Sequence, residues 1–155
     1  MSPGEAAILF AAATAAGGMN ALVLGLARSG QAAALALARR GDRVLAVDRS
    51  RDIETGRLEA AGVEVHLGSE EASLVEGIEV VIKSPGVPND APLVAAARER
   101  GVPVWSEVEL GARLLPNPLL GVTGTNGKTT TSELLGAMLD APVAGNVGRA
   151  LTELV

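Results

Sequence analysis

The sequence predicts an α/β fold in which a parallel sheet is covered by helices and the start of a second α/β unit follows. Two observations carry this. Short, almost wholly apolar runs alternate with Ala- and Leu-rich stretches of helical length, and glycines stop most of those stretches. Apolar runs without inside–outside alternation belong to strands buried on both faces, as parallel strands between helices are. A length of 155 residues with 48% hydrophobic content then suffices for one full domain with a core, and not for two. With one Trp, one Phe and no Tyr, that core has to be built from Leu, Val and Ala.

Each element follows from local signals. Met19 leads into a strand over residues 20–25, followed by a glycine turn over 25–30. Residues 31–40 form a helix ended by Gly41. A second strand covers 43–47 and closes at Asp48. A helix over 53–61 stops at Gly62, and a short strand follows at 63–65. Residues 80–82 are a buried strand broken by Ser84-Pro85-Gly86-Val87-Pro88. A helix over 91–100 stops at Gly101, and 103–105 is a short strand. In the helix over 106–115, Ser106 is the N-cap and Glu109, three residues later, completes a capping box. Pro116-Asn117-Pro118 is a linker, and the domain boundary falls there. The apolar run 119–122 reads as a strand, 130–139 as a helix, and Gly145-Asn146-Val147-Gly148 as a turn before a last helix. Residues 1–18 read as a disordered extension upstream of the folded domain. Their apolar stretch is preceded by Glu5 rather than by Lys or Arg, which a secretory leader would carry; a cleaved leader is the competing reading.

Composition removes several function classes. Net charge is -5 with no basic run, and rings for base stacking are scarce, which argues against a nucleic-acid partner. There are no cysteines, so disulfides and thiolate metal sites are excluded, in keeping with a cytoplasmic protein. A single histidine, His66, provides no zinc cluster. The apolar N-terminal run is too short to span a bilayer, so no membrane role is expected.

Residues 121–130, Gly-Val-Thr-Gly-Thr-Asn-Gly-Lys-Thr-Thr, carry the most chemistry. Strand, glycine loop, Lys-Thr and helix is the arrangement that cradles a nucleoside triphosphate. Successive backbone N–H groups receive phosphate oxygens, and the helix N-terminus adds positive potential. Lys128 would reach the β- and γ-phosphates, and Thr129 would ligate Mg²⁺. The loop is a variant: Val122 stands where the strict pattern has glycine, while Gly121 and Gly124 are present instead. The competing reading is a glycine-rich turn that only caps a helix.

The turn over 25–30 is a second candidate. It follows the first strand as a Rossmann-type dinucleotide fingerprint does, with Gly25 and Gly30 in place and Ala27 in the middle position. Asp48 ends the second strand, where an acid in such folds bonds a ribose or base edge. Ligands of open α/β sheets sit beyond the carboxyl ends of strands, so Ser29, Asp48 and Ser84 would converge on one edge. The chain thus reads as a Rossmann-like parallel sheet domain over 19–115, a linker over 116–118, and a truncated start of a P-loop α/β domain over 119–155.

Four stretches together resemble the Mur ligase family, and within it the D-glutamate-adding branch. They are Gly25-Leu26-Ala27-Arg28-Ser29-Gly30; Lys83-Ser84-Pro85-Gly86-Val87-Pro88 with Ser106-Glu107-Val108-Glu109-Leu110; Gly124-Thr125-Asn126-Gly127-Lys128-Thr129-Thr130-Thr131; and Gly145-Asn146-Val147-Gly148. The resemblance covers about residues 19–155. It implies a three-domain, monomeric, ATP- and Mg²⁺-dependent amide ligase of cell-wall precursor synthesis. ATP would phosphorylate the carboxylate of UDP-N-acetylmuramoyl-L-alanine, and the D-glutamate amine would displace phosphate. Carried onto this sequence, Ser29 and Gly30 would meet the UDP phosphates. Asp48 with Arg49 and Gly86 would hold the uracil end, Ser84 would belong to the same UDP site, and Asn146 would approach the muramoyl part. The ATP phosphates would lie on Gly124, Thr125, Asn126, Gly127, Lys128, Thr129 and Thr130, with Lys128 and Thr129 the catalytic candidates.

A phosphate loop also needs a second magnesium carboxylate, usually ending an apolar strand. After Lys128 the acids are Glu133, Asp140 and Glu153, and none ends such a strand. The chain is therefore expected to be an N-terminal portion of the ligase that folds and binds the UDP part without catalysing. The region after Pro118, with its sheet unfinished, is expected to be mobile, to dock on the first domain, or to self-associate with a second copy. Three other readings stay open: a sister ligase adding another amino acid, an NAD-dependent oxidoreductase using the stretch from Gly25 to Asp48, and a non-enzymatic nucleotide-binding module.

Overall fold

The computed structural model describes residues 18–145 and 148–155. Five parallel strands form one sheet: β1 (Asn20–Leu24), β2 (Arg43–Asp48), β3 (Glu64–Leu67), β4 (Val80–Lys83) and β5 (Val104–Ser106). Their spatial order is β3-β2-β1-β4-β5. The chain builds outward from β1 on one side, then crosses back and builds outward on the other. Leu24 therefore lies opposite Val47 on one flank and Lys83 on the other. Such a reversal leaves a crevice outside the carboxyl ends of the two strands at the switch, which are β1 and β4 here.

Five α-helices are present among the described residues: α1 (Arg28–Arg39), α2 (Gly56–Ala60), α3 (Pro92–Glu99), α4 (Glu107–Leu114) and α5 (Lys128–Leu139). Short 3-10 turns occupy Ala72–Val75 and Leu151–Leu154. The core has two layers because β1 alternates between them. Ala21 and Val23 pack with Ala33, Ala34 and Leu37 of α1 and Leu110 of α4. Leu22 and Leu24 pack with Leu93, Val94 and Ala97 of α3 and with Val75. Each fully buried Leu or Val stabilises the fold by about 1.5–3 kcal/mol relative to exposure. The apolar runs in the sequence thus correspond to a sheet covered on both faces, as expected.

Element boundaries moved for local reasons. α1 starts at Arg28 rather than at 31, because Ala27 already has the extended N-cap conformation and the glycine turn is that tight. α2 is shorter than the predicted 53–61; Ile53 packs against the sheet instead of joining the helix. At α4 the Ser106 hydroxyl accepts from the Glu109 N–H at 3.1 Å, as the capping signal requires. The other half of the expected capping box does not form, because the Glu109 carboxylate turns to Arg113 at 2.8 Å instead, and the Arg113 guanidinium stacks 4.2 Å over Trp105.

The strand expected over 119–122 does not form. A strand is defined by its partner, and β5 at that edge of the sheet pairs only with β4. Leu120 is 71% exposed, and α5 beyond it buries no residue. The end of the chain behaves differently: Leu151 and Thr152 are buried, and the 3-10 turn that holds them packs on α4 and α1. The predicted extension lies, apart from Gly18, outside the described residues.

Candidate functional site

A cleft of about 860 Å³ opens at the carboxyl ends of the strands. Four segments supply most of its walls, and Ile53, Glu70 and the stretch Asp90 to Pro92 complete them. The first is the turn after β1, including Gly25, Arg28 and Ser29; the second is Asp48, Arg49 and Ser50 at the end of β2. The third is the loop after β4, Ser84 to Pro88, and the fourth comes from far along the chain as Gly145, Gly148 and Ala150.

The turn after β1 is built to bring a helix end close to the sheet. Gly25 has φ +88°, a left-handed conformation that suits glycine, and its N–H donates to Val47 O at 2.8 Å. Gly30 packs so tightly that a Cβ there would lie 1.8 Å from Gly25 O. The result is an α1 N-terminus at the cleft with no side-chain cap from Ala27 and no acid in its first turn. Uncapped first-turn N–H groups and the helix dipole favour an anion, and the Arg28 side chain adds positive charge. This is the chemistry that receives a phosphate group.

Ser29, Asp48, Arg49, Ser84 and Gly86, named from the sequence, all line this cleft, and Gly30 lies buried in the first turn of α1. Two of them also hold the loops together. The Ser84 hydroxyl donates to Gly25 O at 2.8 Å, tying the β4 loop to the β1 turn. The Asp48 carboxylate accepts from the Leu26 N–H at 2.6 Å and the Ser50 N–H at 2.8 Å. A carboxylate has about four acceptor positions, so Asp48 keeps capacity for a ligand's donors. Asn146 lies outside the described residues, although its flanking Gly145 and Gly148 line the cleft.

Two residues that the sequence places in motif stretches without a role of their own turn out to support the site. The Lys83 ammonium donates to Val87 O at 2.7 Å and to Ser84 O at 3.4 Å, which curls the loop after β4 over the cleft. Its signal was a lysine ending an apolar strand directly before Ser-Pro-Gly. The second is Glu107, whose carboxylate accepts from Thr152. No local pattern marks a contact between residues that far apart in sequence.

The phosphate loop stands apart from this cleft. None of Gly124, Thr125, Asn126, Gly127, Lys128, Thr129 and Thr130 lines it, and all seven are exposed. Gly127, φ +75°, is the N-cap of α5 without a side-chain cap, so that helix also presents free first-turn N–H groups. The Lys128 ammonium donates to Gly124 O at 2.5 Å and Thr125 O at 3.3 Å, folding back over the loop. These groups fit the phosphates of a nucleotide. The fit to magnesium is partial: Thr129 offers one oxygen, and among the described residues no cluster of three or more His, Cys, Asp or Glu could hold a metal ion.

A five-strand parallel sheet with a cleft at its switch point is the architecture of the Rossmann-like α/β class. Residues 19–106 match the family model described as Mur ligase MurD-like, N-terminal domain, and the chain belongs to that family. The UDP-N-acetylmuramoylalanine–D-glutamate ligase of Anaeromyxobacter dehalogenans is 48% identical over 89% of this chain and 32% of its own length. The enzyme of the same name from Shouchella clausii is 39% identical over 88% of this chain and 32% of its own. Among solved structures, UDP-N-acetylmuramate-alanine ligase from Thermotoga maritima matches with a TM-score of 0.57 at 27% identity, over 79% of this chain and 29% of that one. The chain therefore spans about a third of the length of the curated relatives it matches. Among the described residues no helix is long and apolar enough to cross a membrane.

Proposed function

We propose that this chain supplies the nucleotide-holding part of a ligase that joins D-glutamate to UDP-N-acetylmuramoyl-L-alanine in the cytoplasm. The observation that carries the reading is the cleft itself: an uncapped, acid-free helix N-terminus faces a pocket walled by Asp48, Arg49 and the loop after β4. In this reading the first turn of α1, with Ser29 and Gly30, receives the UDP phosphates. Asp48, Arg49, Ser84 and Gly86 form the uracil end. Gly145 and Gly148, with Asn146 between them, face the sugar and its lactyl-alanine arm.

The loop from Gly124 to Thr130 is the seat for ATP, with Lys128 on its terminal phosphates and Thr129 toward Mg²⁺. When bound, Mg-ATP supplies the phosphoryl group that activates the substrate carboxylate, and the loop's role is to neutralise charge on it. The loop is exposed and Lys128 turns onto its own backbone, so the 155-residue chain binds the nucleotide sugar and does not turn over alone. The chain alone is also expected to self-associate, through the exposed Leu120, Leu134 and Met138.

Calorimetry with UDP-N-acetylmuramoyl-L-alanine and, separately, with Mg-ATP tests this. Measurable heat is expected from the first and weak or no heat from the second. No response to the nucleotide sugar would end the reading. Robust ATP- and D-glutamate-dependent phosphate release by this chain would refute the claim that it does not act alone.

A further inference from the structure

The wall of the cleft contributed by the end of the chain is held by a buried carboxylate that does not itself line the cleft. Glu107 opens α4 and is 3% exposed. Its Oε1 accepts from the Thr152 N–H at 2.6 Å and from the Thr152 hydroxyl at 2.7 Å. Thr152 is 1% exposed, so both bonds are shielded from water. One helical turn along α4, Gly111 leaves the space that Leu151 fills; a Cβ there would stand 2.7 Å from Leu151 Cγ.

From the other side Arg28 of α1 meets Glu153 at 3.4 Å. The Glu153 carboxylate also accepts from the Ala150 N–H at 3.4 Å. Upstream, the Gly145 N–H donates to Arg149 O at 2.8 Å and closes the turn whose Gly145, Gly148 and Ala150 line the cleft. These contacts differ in weight. Arg28 is largely exposed, so its ion pair is screened and weak. Two short bonds to a buried carboxylate are strong, and leaving that carboxylate unpartnered is costly. Among these contacts, the pair of bonds to Glu107 is the strongest tie on residues 148–154.

We infer that Glu107 is a positioning residue, a latch that holds the Gly145–Gly148–Ala150 wall in place for the part of the ligand beyond the phosphates. The inference rests on the nucleotide-sugar reading. Arg28 and its partner Glu153 put this strap beside the N-terminus of α1, where that reading seats the phosphates. The uridine end contacts walls that belong to β2 and β4 and is independent of the latch. Affinity for the sugar-bearing ligand then depends on a side chain that touches no ligand.

The test is calorimetry on the 155-residue chain with UDP and with UDP-N-acetylmuramoyl-L-alanine. Wild type is compared with Glu107→Ala, Glu107→Gln and Val75→Ala, the last being a destabilising control in the opposite core layer. If Glu107→Ala lowers the docked fraction to about one tenth, nucleotide-sugar affinity falls about tenfold while UDP stays within about twofold. Glu107→Gln keeps an acceptor oxygen and restores most of the affinity. Val75→Ala lowers Tm and leaves the ratio of the two affinities unchanged. Hydrogen exchange at the Thr152 amide, measured without ligand, speeds up in Glu107→Ala. If Glu107→Ala does not fold, Thr152→Val removes one of the two bonds and is expected to give about a threefold loss, as the docked fraction falls to about one third. Equal loss for both ligands, no loss for either, or the same split from Val75→Ala would overturn the positioning role. Unchanged Thr152 exchange would overturn the latch alone. A wild type that binds neither ligand overturns the nucleotide-sugar reading, and the positioning role with it, whatever Thr152 reports.

Discussion

Replacing Gly30 with alanine places a methyl group where the structure has a backbone carbonyl. The added Cβ would lie 1.8 Å from Gly25 O and 2.9 Å from Ser84 Oγ, inside the 3.0 Å limit that such carbons respect. Two effects oppose each other. Alanine is the better helix former by about 1 kcal/mol, and Gly30 sits in the first turn of α1. Against that, the carbonyl has little freedom to retreat. The Ser84 hydroxyl binds it at 2.8 Å, and the Gly25 N–H is tied to Val47 O at 2.8 Å. Overpacking of this kind costs about 1–3 kcal/mol, and losing the buried hydroxyl bond costs about 0.5–1.5 kcal/mol more. The clash wins, with a net loss of about 0.5–3.5 kcal/mol. At roughly 2–4 °C per kcal/mol, Tm falls by about 1–14 °C in thermal unfolding followed by circular dichroism. The helix end proposed to receive the phosphates is displaced as well, so UDP binding should weaken in the same variant. Gly86→Ala is the control, since a Cβ there meets nothing within 4 Å, and its Tm should stay within about 2 °C. A Gly30→Ala chain that melts at or above wild type would show that helix propensity dominates and that the close approach of α1 is not needed.

Ser106→Ala removes the N-cap of α4 and should lower stability by about 1 kcal/mol, read as a shift of the urea midpoint; an unchanged midpoint would mean the cap contributes nothing. Asp48→Ala strips the acceptor from the Leu26 and Ser50 amides and removes part of the cleft wall. UDP affinity should drop about tenfold or more, as expected from loss of at least one charge-assisted bond, and calorimetry giving the wild-type Kd would remove Asp48 from the site. Lys83→Met keeps the aliphatic stem and loses the donor to Val87 O and Ser84 O. With the loop after β4 released, UDP should bind about fivefold more weakly at a stability cost of about 1 kcal/mol; equal affinity would show that the loop is held by other means.

How much was legible depended on whether the signal was local. The alternation of apolar runs and helical stretches fixed the parallel sheet, because burial on both faces leaves a strand no polar side. The spacing of Gly25, Gly30 and Asp48 located the cleft, since a tight turn before a helix and an acid after the next strand meet whenever those strands pair. The strand over 119–122 was read with equal local support and is absent. Its hydrophobicity satisfied the pattern, but strand formation is a bond between two segments, and none among the described residues pairs with it.

By itself the sequence determined the layer architecture, the two glycine turns that open helices and the family the chain belongs to, each encoded in contiguous residues. Tertiary structure alone decided that Ser84 and Asp48 spend hydrogen bonds on loops, that Lys83 holds the loop after β4, and that Thr152 returns to Glu107. These are contacts of side chains with single partners, several of them distant in the chain. Nothing in a local period or propensity records which distant atom a polar group will meet once the core has closed.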